Sequence, residues 1–68
     1  MIKKYLRPNS EQLVIDGTYK LIGHYRMDNR IYLVFEGSKL GGRDSTWIRD
    51  NGDIILDAKR YNLNDWIK

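Results

Sequence analysis

Residues 19–35 read YKLIGHYRMDNRIYLVF, and this stretch decides the fold. It is the longest strand-like run in the chain, and both of its arms alternate. Tyr19, Leu21, Gly23 and Tyr25 occupy one side of the first arm, which runs from Thr18 to Arg26. Ile31, Leu33 and Phe35 occupy one side of the second, from Arg30 to Glu36. A period of two is the mark of a half-buried strand. With Met27, Asp28 and Asn29 as a three-residue loop, Arg26 faces Arg30, Tyr25 faces Ile31, Gly23 faces Leu33 and Leu21 faces Phe35. The apolar alternates then share one face. Lys20 meets Glu36, Ile22 meets Val34 and His24 meets Tyr32 on the other. A slip of one residue would carry half of the apolar set into water. Asn29 suits the left-handed backbone of such a loop.

The bulk properties bound what the hairpin belongs to. The chain has 68 residues, enough for one domain over 1–68. A domain of this size buries only about 60% of its unfolded surface, so modest stability is expected. It has no cysteine, which excludes disulfides and thiolate metal sites and suits a reducing cytoplasm. No apolar run approaches the roughly 20 residues of a membrane helix. Met1 to Arg7 carries basic residues with no apolar segment behind them, unlike a signal peptide. The net charge is +3, with twelve Lys and Arg interspersed among nine Asp and Glu. That is an ordinary solvated surface unless folding sorts the cations onto one face.

Outward from the hairpin, local signals mark further strands. Met1 to Leu6 reads as a short edge strand, ended by Arg7-Pro8 and the polar turn Asn9 to Glu11. Gln12 to Ile15 reads as a second strand, and Asp16-Gly17 as the tight turn leading into the hairpin. Gly23, inside a strand, marks a bulge or bend. Gly37 to Ser45 reads as one extended loop. Its three glycines and two basic residues lack the Gly-Lys pair and following helix of a phosphate cradle. Thr46 to Leu56 reads as a second hairpin about Asn51-Gly52. A two-residue turn sets Trp47 opposite Leu56, and a three-residue turn sets it opposite Ile55 with Arg49 facing Asp53. Ala58 to Lys68 ends in a short helical turn capped by Asn62 or Asn64, with Leu63 and Trp66 plugging the sheet.

These elements predict a mainly all-β fold, a small antiparallel five-stranded barrel or strongly curled sheet with a C-terminal helical turn. The expected core joins Leu13, Ile15, Tyr19, Leu21, Tyr25, Ile31, Leu33 and Phe35 to Trp47, Ile54 or Ile55, Leu56, Leu63 and Trp66. In architecture this layout resembles the compact barrels of Src-homology and Sm-like domains. No motif of either is matched residue by residue, so neither function carries over.

Catalysis needs a nucleophile with a base, paired carboxylates or a metal. His24 is the single histidine, and no serine sits in a nucleophile context. A lone strand histidine is more often structural or exposed than catalytic. Asp44, Asp50, Asp53 and Asp57 lack the spacing of a calcium loop and are explained by turns. No enzyme activity, cofactor or metal is therefore expected.

The expected working surface is the mixed face of the central hairpin, with Lys20, His24, Arg26, Arg30 and Tyr32, extended by Lys39 and Arg43. Tyr, Arg and aliphatic residues together are the composition of interface centres, which points to a protein partner. The same aromatic and cationic groups suit RNA or single-stranded DNA as the alternative. A small chain without catalytic groups fits a phage or mobile-element accessory protein that binds and blocks something larger.

Overall fold

The structure, a computed structural model, describes residues 13–66. The strand expected over Met1 to Leu6 lies outside the described residues, as does Gln12 at the start of the second. Six strands follow in order: β1 Val14–Ile15, β2 Tyr19–Met27, β3 Arg30–Gly37, β4 Gly42–Ile48, β5 Asp53–Leu56 and β6 Lys59–Asn62. The described residues also hold two 3-10 turns, Ser38–Leu40 and Leu63–Asp65. Strands β1-β2-β3-β4 form an antiparallel half-barrel sheet, and β5-β6 form a separate two-stranded sheet. The all-β architecture is as the sequence predicts, with six strands among the described residues.

The central hairpin forms, but its loop differs from the expected one. Only Asp28 and Asn29 make the turn, and Met27 pairs with Arg30. Both turn residues have positive φ, 53° and 63°. That is the primed geometry whose twist matches the flanking strands, and it outcompetes a three-residue loop. From the turn, Arg26 pairs with Ile31, Tyr25 with Tyr32, His24 with Leu33 and Gly23 with Val34. Between Leu21 and Gly23 the register shifts by a β-bulge, so Ile22 is the extra residue. Beyond it the expected pairs Leu21–Phe35 and Lys20–Glu36 are present. The bulge signalled by Gly23 thus falls one residue earlier, and it inverts the facing of every residue between it and the turn.

The loop expected over Gly37 to Ser45 is strand from Gly42 onward. A 3-10 turn covers Ser38–Leu40, Gly41 closes it in the left-handed conformation, and β4 begins at Gly42. Arg43, Asp44 and Ser45 pair with Glu36, Phe35 and Val34. Their polarity reads as loop in sequence, yet it suits an exposed strand end. Gly37 is required for packing: a Cβ there would lie 2.7 Å from the Thr18 carbonyl oxygen.

The second expected hairpin is also corrected. The chain does turn tightly, with Gly52 N–H donating to the Arg49 carbonyl and Arg49 N–H to that of Asp53. Arg49 therefore faces Asp53, but the ladder does not continue to Trp47. Instead β5 pairs with β6, and its Ile55 N–H donates to Thr46 Oγ1 of β4 at 3.2 Å. A clasp from the C-terminal end holds this departure. Asn62 Nδ2 donates to the Asn51 carbonyl and to Asp53 Oδ1, Asn64 Nδ2 donates to the same carbonyl, and Leu63 N–H donates to that of Gly52. Asn62 also caps the final 3-10 turn by accepting from Asn64 N–H, as expected of it.

With β5-β6 turned over the sheet, Ile54, Leu56, Tyr61 and Leu63 meet Ile15, Tyr19, Leu21, Leu33, Phe35 and Ile48 in one buried cluster. Each fully buried aliphatic there contributes about 1.5–3 kcal/mol. Ile54 is the buried member of its pair, and Ile55 is 46% exposed. Leu13 and Ile31 pack partly against the cluster. Tyr25 and Trp47, both expected inside, are not in it, and Trp66 is 37% exposed, packing edge-on against Tyr61. Tyr61 was not foreseen as core. Its ring meets Tyr19 edge to face, and its hydroxyl donates to Asp16 Oδ2 at 3.1 Å.

Two measurements test this account. Ala58 is held at φ 64° in the Asp57-Ala58 turn, a conformation that costs a residue with a Cβ. Ala58→Gly is expected to stabilise the fold by about 1 kcal/mol in urea denaturation. The second concerns Tyr61, whose pKa is pushed up to about 12 by burial first and then by its bond to Asp16. The folded state holds that proton after the unfolded chain has released it near pH 10. The stabilisation is whole below pH 10 and is lost as pH rises to about 12. Tyr61→Phe is expected to flatten this alkaline slope in thermal melts.

Candidate functional site

The register of β2, β3 and β4 sets out the outer face of the large sheet row by row. Nearest the Asp28-Asn29 turn stand Met27, Arg30 and Arg49. The next row is Tyr25, Tyr32 and Trp47, the third is Gly23, Val34 and Ser45, and the last is Lys20, Glu36 and Arg43. Arg49 joins the first row by continuing the pairing of Ile31 with Ile48. The opposite face carries Leu33, Phe35 and Ile48 into the core. From Arg30 to Glu36 the face extends about 20 Å along β3.

The aromatic row is locked by its own contacts. Tyr25 and Tyr32 stack with centroids 5.3 Å apart and planes 9° from parallel. Tyr25 Oη shares a 3.0 Å hydrogen bond with Ser45 Oγ across the intervening strand. Over the Trp47 ring lie two guanidiniums, that of Arg30 at 4.1 Å and that of Arg49 at 4.6 Å from the centroid. Solvent still reaches the group: Tyr25 is 40% and Met27 48% exposed, while Tyr32 and Trp47 are half-buried.

The sequence-predicted site is only partly assembled. Lys20, Arg30, Tyr32 and Arg43 share the outer face as expected. His24 and Arg26 do not. They pair with Leu33 and Ile31 and so take the core-side phase, where both are exposed near the tip of the hairpin. The Ile22 bulge causes this, because it exchanges them with Tyr25 and Met27. Lys39 lies on the 3-10 turn beyond the other end of β3. Sequence reasoning missed Tyr25, Trp47 and Arg49. A signal for the last two exists: Arg43, Ser45, Trp47 and Arg49 form a mostly polar alternate set, opposite Thr46 and Ile48.

Two other places hold polar groups together. Asp16, Asp53, Lys59, Arg60, Tyr61 and Trp66 are among the residues lining an open depression on the two-stranded sheet. Asp53 is held below the usual carboxylate range, first by its hydrogen bond from Asn62, and its role is to secure the turn at 49–53. Thr18, Lys20, Glu36 and Arg43 line a shallow dip at the far end of the outer face. Among the described residues no three His, Cys, Asp or Glu side chains come together as a metal site, and no helix is long and apolar enough to cross a membrane. Comparison with protein-family models, with curated proteins and with solved structures yields no match.

The guanidiniums over Trp47 give a checkable consequence. Arg30→Ala with Arg49→Ala is expected to shift Trp47 fluorescence to longer wavelength, with a stability loss of no more than about 1–2 kcal/mol. An unchanged spectrum would show that the arginines do not cover the ring.

Proposed function

We propose that the protein is a non-catalytic binding module that recognises another protein through the outer face of its four-stranded sheet. The observation that carries this reading is the row Tyr25, Tyr32 and Trp47 with Arg30 and Arg49 packed onto it. Tyr, Trp and Arg are the residues that dominate interface hot spots. Here they are ordered before any partner arrives, which reduces the entropy lost on binding. A cysteine-free chain of this size suits a cytoplasmic accessory protein, of the kind phages and mobile elements carry, acting by occupying the surface of something larger.

Single-stranded nucleic acid is the second reading, favoured by Lys20, Arg30, Arg43 and Arg49 on the face, against the carboxylates of Glu36 and of Asp50 beside the two arginines. Base stacking, however, needs open ring faces. Tyr25 and Tyr32 each have one face taken by the other, and Trp47 carries the two guanidiniums. The ring geometry thus favours a protein partner.

Affinity capture from host lysate, with and without nuclease, separates the two. A protein partner is expected to be retained after nuclease treatment and in moderate salt. Tyr32→Ala or Trp47→Ala should each weaken capture by about 2 kcal/mol, roughly 30-fold, with folding verified by circular dichroism. Capture that vanishes with nuclease and falls steeply with salt would instead support nucleic acid. Capture indifferent to both substitutions would remove the outer face from consideration.

A further inference from the structure

We propose that the partner docks through an acidic segment whose carboxylates seat on the Arg30 and Arg49 pair at the turn end of the outer face. This rests on the protein-recognition reading above and names the chemistry of the partner. Arg30 begins β3 and Arg49 follows the end of β4, each next in sequence to a member of the pair Ile31–Ile48. Two like charges brought this close repel. Both are nonetheless held at one spot by the Trp47 ring, at 4.1 and 4.6 Å. A guanidinium over a ring face uses none of its N–H donors for that contact. Among the described residues, no carboxylate forms an ion pair with either arginine. Asp53, the carboxylate that Arg49 influences through space, is already bonded by Asn62 and Asn51.

The space beside the two arginines has the shape for such a group. A recess lies between the Asp28-Asn29 turn and Asp50, lined by Asn29, Arg30, Trp47, Arg49 and Asp50 among others. A carboxylate entering it meets two planar forks suited to bidentate bonding and relieves their mutual repulsion. The charge argues against other occupants. A second copy docked symmetrically through the same face would bring cations against cations. Residues 1–12 of this chain hold Lys3, Lys4 and Arg7 against Glu11, and would add like charge. A nucleic acid strand would find one face of each stacked tyrosine taken by the other and the Trp47 ring carrying the arginines.

The chain has two tryptophans, so Trp66→Phe leaves Trp47 as the only fluorescent indole. In that background, hexaglutamate and a thymidine dodecamer are titrated in the same low-salt buffer. Hexaglutamate is expected to change Trp47 emission saturably and to bind more tightly than the oligonucleotide. Arg30→Gln and Arg49→Gln should each weaken it at least fivefold. Arg30→Lys, which keeps charge but loses the fork, should fall in between. Lys59→Gln, on the other sheet, should change it less than twofold. Thermal melts identify any variant whose fold is lost. A tighter oligonucleotide, no saturable change, or a Lys59→Gln effect as large as that of Arg30→Gln overturns the proposal. The same arginine variants in the capture assay separate the two levels. Capture that needs Tyr32 but neither arginine overturns the acidic segment and leaves protein recognition standing, whereas capture that needs none of them overturns both.

Discussion

One extra residue in β2 governs the whole outer surface. At Ile22 the register against β3 shifts, and every side chain from Gly23 to Met27 changes face relative to an unbroken ladder. Without that bulge, Tyr25 would follow Tyr19 and Leu21 inward, and His24 and Arg26 would stand beside Tyr32. With it, Tyr25 lands against Tyr32 and reaches Ser45, while His24 and Arg26 move to the core side at the hairpin tip. A bulge also increases local twist, which helps a nine-residue strand curl around a small core.

The second constraint is the departure of β5 from the sheet. An Asn-Gly turn normally returns a strand alongside its predecessor. Here Asn51 is held through its carbonyl by Asn62 and Asn64, and its side chain accepts from Asp53 N–H. The chain is thereby steered across the sheet, where Ile54 and Leu56 cover what would otherwise be an open apolar face. A small domain cannot leave such a face wet, since the burial of a few large side chains accounts for most of its stability. Thr46 makes the join, buried on β4 with its hydroxyl accepting from Ile55 N–H. This arrangement leaves Trp47 without an aliphatic partner from β5 and turns it to the outer face.

That outer face concentrates cations around aromatic rings. Arg30 and Arg49 share one indole, and Lys20 and Arg43 flank Glu36 at the other end. A sequence with interspersed charges thus acquires a polarised surface by folding. The rings do not form a flat open platform. Tyr25 and Tyr32 stack on one another, and the Trp47 ring carries the guanidiniums of Arg30 and Arg49.

The sequence by itself determined the strand-rich class, the central hairpin, the tight turns at Asp16-Gly17 and Asn51-Gly52, the Asn62-capped final turn and most of the core. Those features depend on period-two alternation and on turn chemistry, which act over a few neighbouring residues. Three of the candidate surface residues, Lys20, Arg30 and Tyr32, were legible for the same reason, whereas Arg43 was read as part of a loop and stands on β4. Only the tertiary structure decided the phase of the alternation beyond Ile22, the pairing of β5 with β6, and therefore the outward facing of Tyr25, Trp47 and Arg49. Alternation states that neighbours point to opposite sides but not which side is the core. That choice is made by a bulge and by strand partners distant in sequence, where burial of the common core outweighs local preference.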